Sequence, residues 1–105
     1  MDLNDPDNPL AVELKQERAA AYFAACRKMV ESLEALEAFD HAAASWPRDN
    51  AQIKRRLELL EEAAERVFFV IIQREAMKLT ALEHFFETYG VPADVRARLG
   101  PKRVK

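Results

Sequence analysis

The sequence predicts an all-α protein: a long antiparallel helical hairpin, then two short C-terminal helices, assembled as a dimeric helical bundle. Three observations predict it. Only two glycines, Gly90 and Gly100, occur in 105 residues, too few for the tight turns of an all-β domain. Two long stretches free of glycine and proline carry apolar residues at alternating spacings of three and four, the period of a helix face. Val67-Phe-Phe-Val-Ile-Ile72 is apolar on every side of a helix, so one partner helix would leave part of it uncovered.

The first seven residues hold three aspartates and a proline and little to bury, and residues 1–8 are expected to be disordered. Asn8-Pro9 is a helix start, because Asn accepts from the free N–H groups and Pro at the first turn has no N–H to lose. The helix is expected over 9–39. Ala19, Tyr22, Cys26, Met29, Leu33 and Leu36 form its seam, widened by Phe23 and Val30, with Ala20 and Ala24 as a strip of small residues beside it. Asp40 to Arg48 is the connection. Pro47 biases Trp46 away from helical geometry, and Trp46 reads as an apolar plug for the end of the hairpin.

Asp49 with Gln52 gives a capping-box start for a second helix over 49–78. Its seam is Ile53, Leu57, Leu60, Ala64, Val67 and Ile71. The two arms would be about 45 Å long. No turn residue flanks 67–72, so the helix is read straight through it. Thr80 and Glu83 fit another capping box, placing a third helix over 80–89 that ends at Gly90. A fourth is expected over 92–99, ended by Gly100-Pro101, with 101–105 as a basic tail. Residues 9–100 are read as one domain.

Sixteen Lys and Arg against eighteen Asp and Glu give a net charge of −2, without the basic footprint of a nucleic-acid binder. The distribution is uneven. Residues 1–17 hold five acids and one base, while residues 96–105 hold five bases and no acid. Arg96, Arg98, Lys102, Arg103 and Lys105 are therefore a candidate basic patch. Helix, glycine turn and short helix around Gly90 outline a helix-turn-helix. However, Phe86 stands where that motif wants a small residue, and Arg96 where it wants an apolar one.

Single Cys26 allows no internal disulfide. No signal-like or membrane-spanning run is read, and the expected home is a reducing cytoplasm. Glycine-rich phosphate cradles cannot be written with these two glycines. A di-metal bundle site needs Glu-x-x-His pairs, and neither His41 nor His84 stands three after a Glu. No G-x-S-x-G elbow occurs. The reading is of a non-enzyme with no cofactor and no metal.

Gln73-Arg74-Glu75-Ala76, Tyr89-Gly90-Val91-Pro92, Val95 and Arg98-Leu99-Gly100 resemble the C-terminal signature of a family of small bacterial helical proteins of unknown function. The stretch covers about a third of the chain. The resemblance implies an all-helical fold and transfers no catalytic residue, but it marks Gln73-Arg74-Glu75 as more than a solvated turn. Arg74 sits on the seam, three after Ile71, where Leu is expected. It is either part of a buried pair with Glu75 that fixes register or dimer geometry, the preferred option, or a site for an anionic partner.

The expected function is a small self-associating interaction module, a homodimer built on Val67, Phe68, Phe69, Val70, Ile71 and Ile72, with room for an unidentified protein partner. The alternative is a nucleic-acid-binding regulator using the basic C-terminus. An enzyme of unrecognised type comes third. No membrane association is expected.

Overall fold

A computed structural model describes residues 8–100. Among the described residues the chain forms four helices and no strand: α1 Pro9–Ala43, α2 Asn50–Ala76, α3 Leu82–Tyr89 and α4 Ala93–Arg96. The expectations for 1–7 and for the tail at 101–105 lie outside the described residues.

α1 starts as its first residues dictate. The Asn8 side chain accepts from the Leu10 N–H at 3.0 Å, and Pro9 opens the first turn. Asn8 is thus a buried cap, not part of a disordered segment. The helix runs four residues past the expected end at Phe39. Ala42, Ala43 and Ala44 follow, and alanine has the highest helix propensity of any residue. Only Pro47, which has no N–H to donate, stops the ladder.

Asp49 caps α2, accepting from the Gln52 N–H at 2.9 Å. α2 runs through 67–72 without a break but ends at Ala76, two residues short of Lys78. There the chain turns on Lys78 at φ +62°. The Leu79 N–H donates to the Arg74 carbonyl at 2.8 Å and the Lys78 N–H to the Glu75 carbonyl at 3.0 Å, the paired bonds of a Schellman ending.

The Thr80 capping box does not form. Ala81 occupies the cap position with no side-chain bond, and the Thr80 carbonyl instead accepts from the Leu82 N–H at 2.8 Å. Thr80 belongs to the turn that Lys78 begins. α3 closes on Gly90 at φ +61°, with the Val91 N–H donating to the Phe86 carbonyl at 3.0 Å. α4 is a single turn rather than a helix over 92–99. Beyond Arg96 the chain tightens, with Arg98 donating to the Val95 carbonyl and Leu99 to the Arg96 carbonyl.

Two cross-helix contacts show that α1 and α2 run antiparallel and set their register: Arg56 bonds Asp40, and Arg74 bonds Tyr22. The numbers in each pair total 96, so a residue of α2 lies level with 96 minus its number on α1. Met29 and Leu36 from α1, Val67 and Val70 from α2, Phe85 from α3 and Val95 from α4 are the largest fully buried side chains. Each large one withdrawn from water contributes about 1.5–3 kcal/mol before entropy is counted.

The C-terminal helices run back along α2 from its C-terminal end toward the hairpin turn. Phe85 packs at Arg74, and Asp94 reaches Arg56. At the other end α1 overshoots. By the same register Ala76 lies level with residue 20, so residues 9–19 extend beyond α2, and Ala11 alone among them is buried.

Candidate functional site

The apolar run at 67–72 divides between two environments. Val67, Val70 and Ile71 are buried in the chain's own core, and Phe68 is half-buried. These buried residues hold the hairpin and the C-terminal helices together, so the expected six-residue dimer interface is corrected to what remains in solvent. Phe69 is 51% exposed and Ile72 46%. Phe23 on α1, read from sequence as widening the seam, is 68% exposed. The register places Phe69 level with residue 27 and Ile72 with residue 24, so the three fall within about 6 Å along the rod.

Arg74 is half-buried, and Glu75, its expected partner, is exposed. Among the described residues no ion pair joins them. The Arg74 guanidinium instead donates from Nη1 to the Tyr22 hydroxyl at 3.3 Å and lies 4.8 Å from the centre of the Phe85 ring. Its Nε is buried without a hydrogen-bond partner. The physical reason is geometric: Arg74 lies on the inner face of α2, whereas Glu75, one residue on, is turned about 100° away. The cation is held by a ring face and a phenol, both favourable for guanidinium. Tyr89 joins this cluster beside Cys26, and burial followed by the neighbouring thiol pushes its hydroxyl pKa above the ordinary tyrosine value. Cys26 itself is buried and free, a small core residue as the seam suggested.

The described members of the expected basic patch are engaged within the chain. Arg96 pairs with Glu83 at 3.0 Å and stacks over the Phe86 ring at 4.4 Å. This locks α4 against α3. Arg98 lies 3.9 Å from Glu61, a long and weak pairing. Lys102, Arg103 and Lys105 lie outside the described residues. A one-turn α4 also offers no recognition helix for a groove.

The strongest polar contacts in the fold centre on a residue that sequence reasoning missed. Arg56 on α2 grips Asp40 of α1 with two bonds, at 2.8 and 3.0 Å, and Asp94 of α4 with a third at 2.8 Å. The Arg56 bond, seconded by the Val95 N–H, holds the Asp94 carboxyl below the ordinary carboxylate range, and the two carboxylates raise the Arg56 pKa. In the sequence Arg56 is the last of three consecutive bases, Lys54-Arg55-Arg56. Nothing local distinguishes Arg56 from its neighbours, because its partners lie 16 and 38 residues away.

Beside this clamp a cleft of about 750 Å³ opens at the hairpin turn, lined by residues including Phe39, Trp46, Ile53, Leu57, Arg48 and Arg98. Trp46 meets Phe39 edge-on at 5.8 Å but stays 44% exposed, a wall of the open cleft and not the closed plug expected from the sequence. Ile53 and Leu57 are exposed as well, although both lie on the predicted seam.

Among the described residues no three or more His, Cys, Asp or Glu are grouped to hold a metal ion. No helix among them is long and apolar enough to cross a membrane. Comparison with protein-family models, with curated proteins and with solved structures finds no match.

Proposed function

We propose that this chain is a small helical interaction module that works as a homodimer, in a reducing cytoplasm. The observation that supports the reading is the band of Phe23, Phe69 and Ile72, left in solvent at one level of the hairpin. Single exposed apolar residues are ordinary on any surface. Phe69 and Ile72, three residues apart, share one face of α2, with Phe23 exposed at the same level on α1; an aromatic ring can bury about 150–250 Å², and exposed apolar side chains on one face are what an interaction surface offers. In a chain of this size the core is small, and a second copy would enlarge it.

Sedimentation equilibrium and light scattering test this directly. The chain is expected to be a dimer at micromolar concentration. Phe69→Glu is expected to weaken association by about ten-fold or more while the helical circular dichroism is unchanged. A wild-type chain that remains monomeric at high micromolar concentration would remove the reading.

A further inference from the structure

α2 carries a second row of regularly spaced residues, on the face opposite its buried one. Glu58, Glu62, Glu65, Phe69, Ile72 and Ala76 follow one another at spacings of four, three, four, three and four, and all six are exposed. That alternation is the period of a helix-packing seam. The chain's own core uses the other side of α2, through Leu60, Ala63, Val67, Val70 and Ile71. The outer row is acidic in its first half and apolar in its second.

Arg55 takes up Glu58 at 3.3 Å. Among the described residues Glu62 and Glu65 join no ion pair, and neither does Lys78, an exposed residue of the turn that ends α2. A parallel pairing of two such rows would set Glu62 and Glu65 of each copy against the same acids of the other, which like charges oppose. An antiparallel pairing about a two-fold axis between Phe69 and Ile72 separates them. Phe69 of each copy then lies level with the partner's Ile72, Glu65 with the partner's Ala76, and Glu62 with the partner's Leu79. Lys78 falls between the partner's Glu62 and the partner's Glu65 along the axis. The row is complementary to its own reverse, which is what a second copy of this chain presents.

We propose that two copies associate through this row, α2 against α2 and antiparallel, with Phe69 of each seated on the partner's Ile72 and Lys78 of each set against the partner's Glu62 and the partner's Glu65. The proposal rests on the self-association proposed above and adds its face, its direction and its charge pairing.

Cysteine cross-linking in the full-length chain tests the direction. The native Cys26 is buried, and one variant carries Glu65→Cys while another carries Ala76→Cys, both at exposed positions. In the antiparallel pair either new cysteine lies about 16 Å along the axis from its own copy but level with the other variant's. With a short bismaleimide each variant alone is expected to stay un-cross-linked, and an equal mixture to give a covalent dimer. Cross-linking of either variant with itself overturns the arrangement, as does an un-cross-linked mixture that sediments as dimers.

A charge swap, read by sedimentation equilibrium at low salt, tests the pairing. One variant carries Lys78→Glu; the other carries Glu62→Lys and Glu65→Lys, and circular dichroism confirms that both fold. Each alone is expected to associate about ten-fold more weakly than wild type. Mixed in equal amounts they form a heterodimer in which both end contacts again join opposite charges, and affinity returns to within about three-fold of wild type. Dimers of wild-type strength from either variant overturn this arrangement while leaving self-association standing, as does a mixture no tighter than its components. A monomeric wild type overturns self-association itself.

Discussion

Two helix ends in this chain are closed by the same pair of hydrogen bonds, one turning on Gly90 and the other on Lys78. Left-handed backbone costs a residue with a Cβ about 1–2 kcal/mol, and glycine avoids that at an entropic cost of roughly 0.5–1 kcal/mol when the chain orders. Lys78→Gly is therefore expected to stabilise the fold by about 0.5–1 kcal/mol. Gly90→Ala is expected to destabilise it by about 0.5–1 kcal/mol, and the cost is wholly backbone, because a Cβ there would meet nothing within 4 Å. Urea midpoints should move in opposite directions with unchanged slopes; movement in the same direction would contradict the shared geometry. The glycine end was legible because glycine advertises its freedom. The lysine end was hidden, since the left-handed turn there is imposed by carbonyls of Arg74 and Glu75 and not by the residue that adopts it. Arg74 was legible as a misfit on an apolar seam. Its actual partners, Tyr22 and Phe85, were not, because they come from other helices.

α4 is one turn long and cannot hold itself together, since helix nucleation is unfavourable at that length. It persists because Val95 is buried and because Asp94 is gripped by Arg56, which holds Asp40 of α1 at the same time. The Asp94 carboxyl is pushed below the ordinary range, so its contribution is complete above about pH 4 and is lost as the pH falls through its lowered value. Both side chains remain partly exposed, 36% and 42%, which limits the pair to under about 1 kcal/mol. Asp94→Asn should therefore lower stability slightly at neutral pH, and the gap from wild type should close as the pH drops below about 4. Urea melts of both proteins across that range check this; a constant gap would show that the ionised carboxylate is not what matters. At this scale the helix starts were legible wherever a cap is local, as at Asn8 and Asp49. The Thr80 start failed because a turn set two residues earlier had already committed its backbone.

The molecule as a whole is a rod of 63 × 29 × 22 Å. Its helical hairpin was legible from the three-and-four spacing, and so was the need to cover 67–72 on more than one side. The division of that run was not legible, because it depends on where α3 and α4 lie over the hairpin. Coverage along the rod is unequal: between the turn and the end of α2, α1 is backed by α2 and the C-terminal helices, whereas residues 9–19 project past the end of α2.

That overhang has a kinetic consequence. Helical hydrogen bonds without a packed neighbour open by local fraying, while those at Met29 and Leu36 open only when the fold does. Deuterium uptake should start in the amides between Glu13 and Ala19 and reach the stretch from Ala25 to Leu36 last. Uniform uptake along α1 in the monomer would contradict this gradient.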